Sequence, residues 1–128
     1  MIKEGVIMVL HILEGIFSIC KIKDVRNINW DSKYIFLGKT DDEISLVCDA
    51  REVPSNATDI DNDWKGFRVA GELEFSLIGI IAKISAILSD NNISIFVVST
   101  YNTDYIFVKS KDFDCAINIL IVNGYTFI

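Results

Sequence analysis

The arrangement of apolar and polar residues predicts the fold most clearly between residues 67 and 124. Phe67-Arg68-Val69-Ala70 is a mostly apolar run that ends at Gly71-Glu72-Leu73-Glu74, a turn signal. Next, Leu77, Ile78, Ile81, Ile84 and Leu88 recur near helical spacing, with Lys83 and Asp90 off that face. Ser76 is placed to cap this helix by accepting a backbone N–H, and Asp90-Asn91-Asn92 is its stop. Ile95-Phe96-Val97-Val98 is continuously apolar and rich in β-branched residues, which predicts a central strand covered by helices. Asn102-Thr103 signals a tight turn into a second strand over residues 104–109. Phe113, Ala116, Ile117, Leu120 and Ile121 then mark a second amphipathic helix, with Ser110 as its cap and Gly124 as its left-handed stop. Residues 125–128 can add a last strand. The order β-α-β-β-α-β is the split βαβ of ferredoxin-like domains, an α+β class.

The first half shows weaker versions of the same signals. Residues 6–13 read as a strand, Gly15 as a turn, and residues 17–22 alternate as a strand does. Residues 23–33 are polar and irregular, with Trp30 as the one large apolar anchor. Residues 34–39 and 44–48 make two more strands joined by Asp41-Asp42-Glu43. Residues 49–53 form a helical turn closed by Pro54, and the acidic stretch 55–63 is the expected linker. Asn56-Ala57-Thr58 fits a glycosylation sequon, but by chance, because the start of the chain lacks a signal-peptide layout. Asp59 to Asp63 opens like a calcium loop but fails, because Trp64 stands at the glycine position and Ala70 at the closing glutamate.

The halves also repeat each other. Ile35-Phe36-Leu37 and Thr40 match Ile95-Phe96-Val97 and Thr100. With a two-residue insertion, residues 42–46 then parallel residues 104–108, and Gly15 with Phe17-Ser18 echoes Gly71 with Phe75-Ser76. The first copy lacks two long helices. A helix-poor half cannot bury both faces of its sheet alone, so the halves are expected to share a sheet or core, with exchange of a terminal strand left open.

Composition narrows the classes of function. The 128 residues carry a net charge of −6 and no basic stripe, which argues against nucleic acid or an anionic membrane surface as partner. Apolar residues 77–88 are interrupted by Lys83 and fall short of the ~20 residues of a membrane span. Cys20, Cys48 and Cys115 are widely spaced and read as reduced thiols of a cytoplasmic protein. With one histidine and no CxxC, no metal site is expected. His11 lies in a strand-like run and reads as a hydrogen-bonded residue of that strand. No nucleophile motif, phosphate loop or cofactor fingerprint appears, so neither catalysis nor a cofactor is expected.

Residues 40–48, 64–69, 71–80 and 95–108 together carry a resemblance to the ACT domain superfamily, the small-ligand regulatory modules of amino-acid metabolism. The chain is most similar to short bacterial tandem-ACT proteins related to the animal cytosolic arginine sensors. It departs from their pattern at Asn29, where a proline usually precedes the tryptophan. The resemblance implies two ferredoxin-like ACT subdomains with antiparallel sheets and helices on one face. These would be a degenerate repeat over residues 1–63 and an ACT domain over residues 64–128. It also implies no catalysis, homo-oligomerisation, and an amino-acid-type ligand in the loop of residues 71–79.

The chemistry of that loop is compatible with such a ligand. A helix N-terminus at Leu77 offers free N–H groups to a carboxylate, and Gly71 and Gly79 allow close approach. Glu72, Glu74 and Asp104 can pair with an ammonium or guanidinium. Phe75 lines the loop, and Ser76, Ser99, Thr100 and Thr103 add neutral hydrogen bonds. Each has a plainer role: Ser76 as a cap, Gly79 in helix–sheet packing, Phe75 in the core, Asp104 on turn amides, and Glu72 and Glu74 in water. Two functions stay open: a sensor that binds an amino acid or related metabolite and reports to a protein partner, and a ligand-free oligomerisation or interaction module.

Overall fold

A computed structural model describes residues 8–70 and 79–128. In chain order its strands are β1 (Val9–Ile12), β2 (Phe17–Ile22), β3 (Phe36–Lys39), β4 (Ile44–Asp49), β5 (Ala57–Val69), β6 (Ile95–Ser99), β7 (Asp104–Lys109) and β8 (Thr126–Phe127). Two helices, α1 (Ile80–Asp90) and α2 (Ser110–Val122), follow β5 and β7, and a 3₁₀ turn covers Ala50–Glu52. The chain divides into two compact units, residues 15–64 and residues 1–14 with 65–128.

The 15–64 unit is helix-poor. Its strands run in the order β3-β4-β2-β5, and every pairing within it is antiparallel. Residues 23–33 occupy the position of a first helix, and the 3₁₀ turn that of a second. Cys20, Ile22, Ile28, Leu46 and Cys48 form its core. The stretch expected as a linker, residues 55–63, is instead mostly the start of β5. Its side chains from Thr58 to Asp63 are exposed, and its order comes from the backbone ladder to β2. That ladder is irregular between Phe17 and Ile19, where Ser18 Oγ donates to Asn62 Oδ1 at 2.6 Å and Asp63 takes a φ of 68°. Trp30 is 59% exposed, so Ile28, and not Trp30, anchors the loop.

The other unit runs β6-β7-β5-β1-β8. Strand β1 lies antiparallel to β5 and parallel to β8, between the two strands that a ferredoxin-like unit would place side by side. Ile84 and Leu88 of α1 and Phe113, Ala116 and Leu120 of α2 pack on Leu10, Phe67, Val69, Ile106 and Val108 of the sheet. Gly66 is small for a steric reason: a Cβ there would lie 2.8 Å from two atoms of the Phe107 ring. Gly124, at φ 96°, ends α2 as expected.

Three helix expectations need correction or fall outside the described residues. Ser110 is the first residue of α2 and not its cap; the cap position is Lys109, and the buried Ser110 Oγ has no hydrogen-bond partner. Ile121 is 50% exposed, one position past the stripe that packs. Ser76, Leu77 and Ile78 lie outside the described residues, and described α1 starts at Ile80 behind left-handed Gly79.

The repeat is more regular than the sequence suggested. Phe36 pairs with Val47 and Phe96 with Phe107, so both partners are displaced by the same 60 positions. Thr40 N donates to Glu43 O and Thr100 N to Thr103 O, each at 2.9 Å. Asp49 and Lys109 are the caps that follow. No two-residue insertion separates the copies. Phe17-Ser18 opens strand β2, whereas Phe75-Ser76 lies outside the described residues. The apolar run 95–98 also differs from expectation. It is an edge strand, since β6 pairs only with β7 among the described residues.

Candidate functional site

Of the candidate ligand-binding residues, Gly71, Glu72, Glu74, Phe75, Ser76 and Leu77 lie outside the described residues. Gly79, Ser99, Thr100, Thr103 and Asp104 are described. Gly79 caps α1 at φ 80°, a conformation an L side chain rarely takes, and a Cβ there would meet nothing within 4 Å. Close packing against the sheet therefore does not explain this glycine. Its dihedral does.

The other four residues meet in the β6–β7 turn. Thr100 Oγ1 accepts from Thr103 N at 3.3 Å and donates to Thr103 O at 3.0 Å, closing the turn through a side chain. Ser99 Oγ donates to Asp104 Oδ1 at 2.5 Å. The turn amide is thus served by Thr100, and Asp104 is free of that duty. Thr103 is 4% exposed, and its hydroxyl donates to Val69 O at 2.8 Å. Ala70 N donates to Val9 O at 2.8 Å. The last described residues before position 71 are therefore held from both sides, by β1 and by the β6–β7 turn.

Sequence reasoning misses this anchoring role of Thr103, whose residue type shows only a neutral hydrogen-bonding group. The repeat signals the turn but not the tether: the turn that Thr100 begins matches the one Thr40 begins, where Thr40 Oγ1 accepts from Asp42 N and Glu43 N at 3.2 and 3.3 Å. Glu43 stands at the counterpart of Thr103 there.

His11 is half-buried in β1, and its Nδ1 lies 3.4 Å from Arg68 Nη2 on the paired residue of β5. This is the hydrogen-bonded strand role expected of it. Among the described residues no group of three His, Cys, Asp or Glu is placed to hold a metal ion, and no helix is long and apolar enough to cross a membrane.

The loop of residues 23–33 is held by polar contacts. Glu52 Oε2 accepts from Asn29 Nδ2 at 2.5 Å and Ser32 Oγ at 2.7 Å. Asn56 Nδ2 donates to Asp24 O at 3.2 Å. Hydrogen bonds from the Arg26 side chain, then from its backbone N–H, hold the Asp24 carboxyl down at about 2.

Comparison with known proteins agrees with this architecture. Residues 59–121 match the model of the ACT domain family. The mouse cytosolic arginine sensor for mTORC1 subunit 1 is 34% identical over 84 residues, an alignment that covers 60% of this chain. The chain spans about a quarter of that relative's length, since 25% of it is covered. A solved Agrobacterium tumefaciens protein is 29% identical with a TM-score of 0.84, covering 97% of this chain and 94% of its own. The aspartate kinase of Clostridium acetobutylicum shares the fold at a TM-score of 0.67 and 17% identity, over 98% of this chain and 36% of the kinase. ACT domains are regulatory ligand-binding modules. Residues 59–121, just under half of the chain, match the model of such a domain, and through them the chain is similar to the ACT superfamily.

Proposed function

We propose that this chain is a non-catalytic, cytoplasmic amino-acid sensor whose ligand sits in the loop of residues 71–79, against the β6–β7 turn. The observation that carries this reading is the Thr103–Val69 hydrogen bond, which fixes a polar turn beside the strand end that leads into the loop. Gly79 supplies a left-handed residue at the other end of the loop. Asp104 offers a carboxylate on the turn, and Glu72 and Glu74 would complete an acidic set suited to an ammonium or guanidinium. The name of the mouse relative makes arginine the first ligand to test. Ligand binding would order the loop and shift an existing equilibrium that a protein partner reads.

Self-association belongs to the same reading. Strand β6 has the sequence of a buried strand at an edge: Ile95 to Val98 carry no charge, proline or bulge, and all four are half-buried. Other edges are blunted, β3 by its length and by Gly38 and Lys39, and β8 by being two residues long. An antiparallel pair of β6 strands from two copies would be self-complementary about Val97. Residues 1–63 and 64–128 are read as a degenerate and a complete ACT repeat, in keeping with the common 60-residue displacement of the two hairpins.

A thermal-shift screen against the standard amino acids tests the sensor. A ligand present at a hundred times its Kd should stabilise the protein by about 2.7 kcal/mol. A selective shift that Asp104→Ala abolishes supports the reading. If no amino acid shifts the wild type, the ligand-free interaction module takes its place.

A further inference from the structure

The helix-poor unit contains a pair of thiols that the sensor reading does not use. Cys20 lies on β2 and Cys48 on β4, neighbouring antiparallel strands in which Ser18 is opposite Cys48 and Cys20 opposite Leu46. Ser18 and Cys20 share a strand face, so Cys20 and Cys48 are diagonal neighbours on one face of the sheet. Both are buried, at 4% and 3% exposure, in the same core cluster with Ile22, Ile28 and Leu46. Cys115 is exposed and lies outside this unit.

We propose that Cys20 and Cys48 close a reversible disulfide when the protein meets a peroxide, and that this bond acts as a latch on the loop of residues 23–33. One sulfur attacks the O–O bond of the peroxide, giving a sulfenic acid and releasing water. The second sulfur then attacks the sulfenic sulfur, and its S–H proton leaves with the hydroxyl as a second water. Two electrons have passed from the sulfurs to the peroxide, and a dithiol reductant returns them by exchange.

Geometry argues for a switch over a permanent staple. Diagonal strand neighbours have Cα atoms ~7–8 Å apart, while a relaxed disulfide wants less than about 7 Å, so closure must draw the strands together. β2 can yield, because its register with β5 shifts on either side of Cys20, at Phe17/Ile19 and at Lys21/Ile22. A bond closed under strain is more readily reduced, as suits a reversible device in a reducing compartment. Burial pushes both thiols up, Cys48 to about 12, so the closed sheet protects the reduced pair, and attack on the peroxide requires β2 to yield and let one sulfur ionise.

The latch connects to the loop through β4. Asp49 follows Cys48, and its Oδ1 accepts from Arg51 N at 2.8 Å, capping the 3₁₀ turn that carries Glu52. Glu52 in turn holds Asn29 and Ser32, on either side of Trp30. Drawing Cys48 toward β2 pulls on this chain of contacts.

The test uses the full chain carrying Cys115→Ser, treated with hydrogen peroxide, then unfolded in N-ethylmaleimide and weighed. The expected product is lighter by about 2 Da, the two thiol hydrogens, carries no maleimide, and returns to the starting mass with dithiothreitol. Adding Cys20→Ser or Cys48→Ser must abolish that product. Hydrogen exchange of residues 23–33 reads the latch and should speed up on oxidation. If both thiols remain fully alkylatable after peroxide, or one is oxidised to a sulfinic acid without a link, the disulfide is overturned. If the link forms and exchange in the loop is unchanged, the latch is overturned.

Discussion

Thr103 holds Val69. The hydroxyl of one donates to the carbonyl of the other at 2.8 Å, across 34 positions of sequence, and both residues are buried. Replacing Thr103 with valine keeps the shape and removes the donor, leaving a buried carbonyl one partner short. The expected cost is about 1–3 kcal/mol in urea denaturation. Thr103→Ser keeps the hydroxyl and should cost clearly less. Equal losses in the two variants would mean that the methyl group, not the hydrogen bond, holds the turn. On the proposed function, Thr103→Val also weakens ligand binding more than it weakens the fold.

Gly66 and Phe107 test the packing of the same unit. Gly66→Ala puts a Cβ 2.8 Å from the ring, closer than real carbon atoms approach. Because the ring is fully buried, relief must come from strand movement, and the expected destabilisation is about 1–3 kcal/mol. Phe107→Leu is itself destabilising, yet the double variant should be more stable than the sum of the two losses predicts. Strict additivity in a denaturation cycle would show that the two sites do not meet.

These two contacts mark how far the sequence could be read. The stripe of α2 was legible because Phe113, Ala116 and Leu120 repeat at helical spacing and all three are buried. Hairpin β6–β7 was legible from its apolar runs and from Asn102-Thr103. The opening of β5 was not, because residues 58–63 point into water and are ordered by backbone bonds that leave no apolar pattern. Nor was the edge position of β6: an apolar run reports burial, and neither names the strand's neighbours. Insertion of β1 between β5 and β8 joins residues more than fifty positions apart, beyond any local signal. For the candidate site, the turn residues were legible by type. The Thr103–Val69 tether was not, because a threonine in a turn looks alike whether it caps locally or reaches a distant strand.

Acid titration isolates one contact of the 23–33 loop. Asp24 is held at about 2, below its ordinary 3.8, first by the hydrogen bond from the Arg26 side chain. A carboxyl with a depressed folded-state pKa contributes stability above its ordinary pKa and loses it as pH falls through the folded value. The window here is therefore between about pH 4 and about pH 2. The pair is exposed and contributes little to global stability, so the readout is local. Following the Asp24 carboxyl carbon by NMR, Arg26→Ala should move the midpoint back toward 3.8, with part of the depression kept by the backbone N–H of residue 26. An unchanged midpoint would show that the guanidinium is not the cause.

Edge pairing through β6 makes the last prediction. Val98 pairs with Tyr105, while Ile95 and Val97 are the β6 residues packed against the core. By alternation Val98 lies on the other face, so Val98→Lys adds a charge at the edge while sparing the core. A lysine on an edge strand opposes pairing with a second copy, because closing the ladder would bring two ammonium groups together with no counter-charge. Light scattering after gel filtration should find the wild type as a dimer and Val98→Lys as a monomer with unchanged circular dichroism. A charge at Leu37, which is 40% exposed on the short β3 edge, should leave the dimer intact. A monomeric wild type at high concentration, or a Val98→Lys dimer, would remove β6 as the interface. An apolar, unblunted edge would then need some other strand to cover it.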